Sequence, residues 1–169
     1  MIRFASEKDF STVMGIWLNP QVNKFMVLSS SAALDEQKKW FERQWREMLV
    51  FEENSKVIGF LSFRNYKNEK KKHIVELIAL AVNPESQGKG VATALFKFLI
   101  ENVCKAKLKI EAAVVTDNEK ALGFYENFGF VVEGKKENAV LQDRKLFGEY
   151  LIALYLNKVE DYLANIKGD

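Results

Sequence analysis

The sequence predicts an α/β fold on a mixed sheet, and three observations carry that prediction. Short apolar runs and apolar–polar alternation mark strands, a 3.6-residue apolar period marks helices, and turn residues separate them. Their order matters most. A few antiparallel hairpins come first and a strand-helix-strand-helix-strand run follows, the sequence of a mixed α+β or α/β sheet. The 169 residues are read as one domain over 1–169, long enough for a real core.

Taken in order, "IRFA" at 2–5 is a short strand. Ser6 is placed to cap a helix over Glu7–Leu18, with acidic Glu7 and Asp9 in its first turn. "AALDEQKKWFERQWREM" sets Trp40, Phe41, Trp45 and Met48 at helical spacing. "MLVFEENSKVIGFLSFRNY" reads as a hairpin folded about Glu53-Asn54-Ser55-Lys56. Charged "KNEKKK" then turns into "HIVELIALAV", a long fourth strand. Gly90 to Cys104 shows apolar residues at 91, 92, 95, 96, 99, 100 and 103, one helix stripe. "LKIEAAVV" is the fifth strand. Glu119–Phe128 is a short helix, capped by Asp117 or Asn118 and stopped by Gly129. "FVVEG" and "KLFGEYLIALYL" close the sheet.

A hydrophobic content of 48% with 28% charged residues excludes a disordered or fibrous chain. A net charge of +2 demands neither nucleic acid nor an acidic membrane as partner. The single cysteine, Cys104, cannot form an internal disulfide; it has no partners for a metal site and reads as core. The charged, alternating start is unlike a secretion signal, and no apolar run approaches the roughly 18 residues of a membrane span. A soluble cytoplasmic protein, monomer or homodimer, without metal is expected.

"NPESQGKGVATALF" concentrates a proline and two of only nine glycines beside a long apolar helix pattern. A strand, then Pro84, then Gly88-Lys89-Gly90, then a helix is the layout of a phosphate cradle. Glycines let backbone N–H groups approach an anion, and the helix start adds donors without intrahelical partners. A Walker loop fails, because Asn83 stands where its first glycine belongs and Gly90 where Ser or Thr should follow Lys89. A dinucleotide fingerprint is weak. Its third glycine is Thr93 here, and Glu111 opens its strand instead of ending it.

Gln87-Gly88-Lys89-Gly90-Val91-Ala92 instead resembles the acyl-CoA pyrophosphate loop of the GNAT superfamily of N-acetyltransferases: Gln or Arg, two residues, Gly, one residue, then Gly or Ala. "DNEKALGFYENFGFVVEG" is similar to that family's second diagnostic segment, Asn-x-x-Ala-x-x-x-Tyr-x-x-x-Gly-Phe, and "IRFASEKDF" to its first strand and helix start. The resemblance implies a GNAT-like fold. In that fold a mostly antiparallel twisted sheet has helices on both faces, and a cofactor cleft lies between the fourth and fifth strands. It also implies acetyl-CoA as co-substrate, its pyrophosphate held by the amides of Gln87 to Thr93 with Lys89 adding charge. Leu80, Ala81 and Val82 would run along the pantetheine arm, one of their N–H groups facing the thioester oxygen. Asn118 either bonds the cofactor arm or only caps its helix. Tyr125 matches the tyrosine that protonates the departing thiolate, although a tyrosine on that apolar face also fits the core.

Glu76 interrupts a strand so apolar that its carboxylate needs a reason. Eleven residues before Gln87, it corresponds to the general base of the histone-acetylating branch; alternatively, strand alternation turns it outward to a lysine. An amine of pKa near 10 must lose a proton before it attacks, which a carboxylate can accept directly or through water. His73 and Lys70-Lys71-Lys72 read as a solvated strand end and turn, the lysines also able to steer an anion. Trp40, Phe41 and Trp45 read as core or as the border of an acceptor pocket. The reading is direct transfer of an acetyl group to a primary amine, the acceptor a small amine or amino acid. The alternatives are a protein N-terminal or lysine acetyltransferase, a longer acyl donor, or a silent acyl-CoA-binding regulatory module.

Overall fold

The computed structural model describes residues 1–26 and 31–166, and the chain divides into two compact units, Met1–Arg64 with Ile78–Lys105 and Asn65–Leu77 with Ala106–Asp169. Strand β4 (Ile74–Val82) contributes its first half to the second unit and its second half to the first.

In the first unit β1 (Ile2–Phe4), β2 (Met48–Glu53) and β3 (Lys56–Asn65) lie side by side, followed by β4. Asn54 and Ser55 take φ of 49° and 61°, the left-handed pair of a two-residue hairpin turn, where the sequence put it. The expected helix over Glu7–Leu18 is divided. A 3-10 turn covers Glu7–Asp9 and α1 runs Phe10–Trp17. The reason is Asp9, whose Oδ2 accepts the Ser6 amide (2.7 Å) and hydroxyl (3.0 Å) and tightens the first turn. A four-residue α2 (Pro20–Asn23), started by an Asn19 cap, was not foreseen. Helix α3 is Leu34–Gln44, and a 3-10 turn over Trp45–Glu47 hands the chain to β2. Met48 is therefore a strand residue, fully buried opposite Ser62. Trp17 joins these elements: its ring lies 4.2 Å from Trp40 and stacks 5.8 Å from Phe60, among Val13, Phe41 and Val50. Helix α4 spans Val91–Asn102, with Leu95, Phe96 and Leu99 buried as the stripe requires. Cys104, just beyond it, is buried.

In the second unit β4 is followed by β5 (Lys109–Val115), β7 (Lys145–Tyr155) and β6 (Val131–Gln142). The β4–β5 ladder is parallel and joins Ile74, Val75 and Glu76 to Lys109, Ile110 and Glu111. The β5–β7 and β6–β7 ladders are antiparallel. Helix α5 (Glu119–Asn127) ends as read. Gly129 turns left-handed at φ 89°, and the Phe130 amide reaches back to the Tyr125 carbonyl at 3.1 Å. Strand β6 is far longer than "FVVEG", because 135–139 has no alternation to read, although Lys135 and Lys136 pair with Tyr150 and Glu149 on β7 and the ladder resumes at Val140. A closing helix α6 (Val159–Ile166) was also missed; its Tyr162 ring lies 6.1 Å from His73, which is half-buried. Lys109 holds β6 to β5, its ammonium 2.7 Å from Glu133 and 2.9 Å from Glu111, while Tyr155 donates to Glu133. Burial disfavours that charge, but the two carboxylates outweigh it and raise the Lys109 pKa.

Arg3 ties the first strand down. Its guanidinium forks onto Asp9 (2.8 and 2.9 Å) and donates to Glu52 on β2 (2.8 Å). The hydrogen bond from Arg3 holds the Asp9 carboxyl below its ordinary range, with the Ser6 donors assisting against burial. A lowered folded-state pKa stabilises above the unfolded value of about 4, and that stabilisation drains away as pH falls through the lowered one. Asp9→Asn should cost about 2 kcal/mol in urea denaturation at pH 7. The gap to wild type should narrow below about pH 4. A gap unchanged from pH 7 to 2 would remove the ion pair from the account.

Candidate active site

The glycine-rich segment is built outward from the end of β4. The Asn83 amide donates to the Ile58 carbonyl on β3 (2.8 Å), and its side chain accepts the Glu85 amide (3.3 Å), starting a 3-10 turn over Pro84–Ser86. Gln87 folds back on that turn. Its amide donates to the Pro84 carbonyl (3.2 Å) and its side-chain amide to the Val82 carbonyl (3.2 Å). The Gln87 amide thus serves the turn itself, where the sequence reading assigned it to the anion.

Beyond Gln87 the backbone opens. Gly88 and Gly90 have φ of 77° and 79°, and a Cβ built on either would meet nothing within 4 Å. Glycine is needed for conformation, not for room, so the space over the loop is open. Gly90 caps α4, and the first intrahelical bond runs from the Ala94 amide to the Gly90 carbonyl (2.9 Å). Helix geometry leaves the amides of Val91, Ala92 and Thr93 without intrahelical acceptors. With exposed Lys89 beside them, these donors fit a phosphate-like anion.

A residue the sequence reading passed over seats this loop. A Cβ on Gly59, mid-strand in β3, would lie 2.9 Å from Val91 Cγ1, 3.1 Å from the Ala81 carbonyl and 3.3 Å from Val82 Cγ2. Gly59 lets the start of α4 and the end of β4 approach β3 without intervening atoms. A glycine inside a strand is the signal that could have found it. Ala81 and Val82 are buried there, and Leu80 is half-buried.

In the second unit Glu76, half-buried and third in β4, accepts a hydrogen bond on Oε2 from the Tyr66 hydroxyl at 2.8 Å. The sequence offered a lysine as an alternative partner; a phenol is one donor that reaches Glu76. Asn118 caps α5, its Oδ1 accepting the Ala121 amide (3.2 Å). Tyr125, on α5, is buried with its ring 5.0 Å from Phe130 and 5.3 Å from Phe124. Burial pushes the Tyr125 phenol well above its ordinary pKa. It stays a neutral donor at any physiological pH. Lys70, Lys71 and Lys72 are exposed, as expected of a wet turn. Phe41 and Trp40 pack in the core, and Trp45 carries Arg46 4.4 Å over its ring. Among the described residues, no three His, Cys, Asp or Glu groups are gathered as metal ligands, and no helix is long and apolar enough to cross a membrane.

Residues 16–130 match the model of the Acetyltransferase (GNAT) family. The L-amino acid N-acetyltransferase AaaT of Escherichia coli (strain K12) is 28% identical over 165 residues, covering 95% of this chain and 98% of the relative. An N-acetyltransferase from Staphylococcus aureus Mu50 superposes with a TM-score of 0.78 at 25% identity, covering 93% of this chain and 98% of the other. YncA from Salmonella typhimurium, solved with its cofactor acetyl-CoA, superposes at 0.77 with 22% identity, covering 94% of each chain.

The Gly59 contacts can be tested directly. Gly59→Ala should lower acetyl-CoA affinity in isothermal titration by about tenfold, about 1.4 kcal/mol. Gly15→Ala, in α1 with nothing within 4 Å of the added carbon, should leave affinity alone and gain about 0.5–1 kcal/mol of stability. Equal affinity for the two variants would show that Gly59 does not set the loop.

Proposed function

The chain belongs to the Acetyltransferase (GNAT) family, and from that membership we propose that residues 1–169 form one N-acetyltransferase domain transferring acetyl from acetyl-CoA to the primary amine of an amino acid or similar small molecule. It is an acyltransferase. The observation that carries the donor is the open loop after β4, two left-handed glycines leading into unpaired helix-start amides. A small acceptor is supported by AaaT, which matches along nearly its whole length.

When bound, acetyl-CoA supplies a thioester whose carbonyl carbon the amine attacks, with the thiolate leaving. Gly88, Lys89, Gly90, Val91, Ala92 and Thr93 hold the pyrophosphate, with Gln87 bracing the loop from behind. Leu80, Ala81 and Val82 follow the pantetheine arm, and one of their amides donates to the oxygen as negative charge develops there. Glu76 takes the ammonium proton, directly or through one water, so that the nitrogen lone pair is free. Tyr125 returns a proton to the departing sulfur. Asn118 fixes the start of the helix that carries Tyr125. No residue need be acylated, since the amine can reach the thioester within one ternary complex.

Free-thiol release from acetyl-CoA across amino acids, polyamines and peptides with free N-termini should single out an amino acid or small amine. Turnover confined to peptides would move the acceptor class to proteins, and none with any amine would leave a silent binding module. Tyr125→Phe should lower kcat by about 10²–10⁴-fold with acetyl-CoA affinity nearly unchanged. An undiminished rate under conditions where chemistry limits would return Tyr125 to a packing role.

A further inference from the structure

The proposed reaction gives Glu76 a proton to take, but a carboxylate at the end of a side chain is poorly aimed by itself. The last torsion of Glu is broad, with no staggered well to hold the two oxygens in one plane. Proton abstraction is sensitive to that plane, and an error near 1 Å costs about 10²-fold. Something outside Glu76 has to fix it.

Tyr66 meets that requirement. It lies one residue beyond β3, half-buried, and its hydroxyl donates to Oε2 of Glu76 at 2.8 Å. The turn between them is tied at several points. Asn68 accepts the Lys70 amide on its side chain and the Lys71 amide on its carbonyl, both at 2.9 Å, and the Lys71 carbonyl accepts the Ile74 amide at 2.9 Å. Lys107 reaches the Lys72 carbonyl at 2.6 Å, and the His73 carbonyl takes the Leu108 amide at 2.9 Å, anchoring the turn to the segment leading into β5. The ammonium of Lys71 stands 5.0 Å above the Tyr66 ring. The phenol is therefore presented from a braced turn. Glu76 itself is paired with Glu111 on β5, next to the Val75–Ile110 pair.

We propose that Tyr66 is a positioning residue for the acetyl transfer: its hydroxyl orients the Glu76 carboxylate toward the acceptor amine. The inference rests on Glu76 being the base. Tyr66 keeps its own proton throughout. In the step it supports, the acceptor's N–H bond breaks and an O–H bond forms on the carboxylate, with no other group oxidised, reduced or displaced.

A double-mutant cycle separates the two claims. With acetyl-CoA saturating and the best acceptor varied, Tyr66→Phe should lower kcat roughly 10- to 100-fold. Melting temperature and the KM for acetyl-CoA should stay near wild type. In a Glu76→Gln background the same change should alter kcat less than about twofold, because the group it orients is gone. A near-normal kcat for Tyr66→Phe beside a crippled Glu76→Gln would overturn the positioning role and leave the base intact. The same loss in both backgrounds would also overturn it, since Tyr66 would then act apart from Glu76. A wild-type rate for Glu76→Gln would sink both ideas at once. Should Tyr66→Phe fold poorly, fluorotyrosine at position 66 keeps the ring and changes the phenol's donor strength. kcat must then move with donor strength when Glu76 is present and stand still when it is glutamine.

Discussion

The missing side chain at Gly59 is the constraint on which the glycine-rich loop before α4 depends. Two strands and a helix start converge on that carbon so closely that a methyl group would press on Val91, on the Ala81 carbonyl and on Val82. With nothing between them, the Val91 side chain at the start of α4 seats directly on the β3 backbone beside the end of β4. Gly88 and Gly90 then hold left-handed conformations with two anchors behind them, the Asn83–Ile58 hydrogen bond and the Gln87 side chain on Val82. Backbone dipoles held this way need not reorganise when an anion arrives, and that lack of reorganisation gives fixed donors their electrostatic strength.

Much of the first unit and of the loop was legible because its signals are local. A 3.6-residue stripe from Val91, a glycine at the helix start and a proline before it need no tertiary knowledge. Asn118 was legible as a cap for the same reason. What stayed hidden depends on partners distant in the chain or on competition at one residue. Lys135 and Lys136 are strand because β7 lies beside them, and the first helix tightens to a 3-10 turn because Asp9 serves Ser6 and Arg3 together. Tyr66 left no trace at all. A hydrogen bond across a hairpin turn has no sequence period, and a tyrosine at a strand end looks like packing until the carboxylate is seen under it.

Two of the ionisable groups in the second unit's sheet have different surroundings. Lys109 is enclosed by two carboxylates, so its burial is offset by charge. Glu76 sits between Val75 and Leu77, both buried, and is met by the neutral phenol of Tyr66.

The length of β6 also bears on how this protein behaves at high concentration. It is the terminal strand of the order in its unit, with Val131 and Val132 each more than half exposed, and a flat strand of that kind would offer a template to any neighbouring chain. Two irregularities interrupt it: one at Glu133 between the pairs Val132–Ile152 and Gly134–Leu151, the other after Lys136, where Asn138 turns left-handed. Lys135, Lys136 and Glu137 lie between them, exposed. No uninterrupted run of outward donors and acceptors is left for a second molecule to zip onto. The bend that aims Glu133 at Lys109 therefore also breaks up the outer edge on which another strand would have to pair, using residues that already serve the fold.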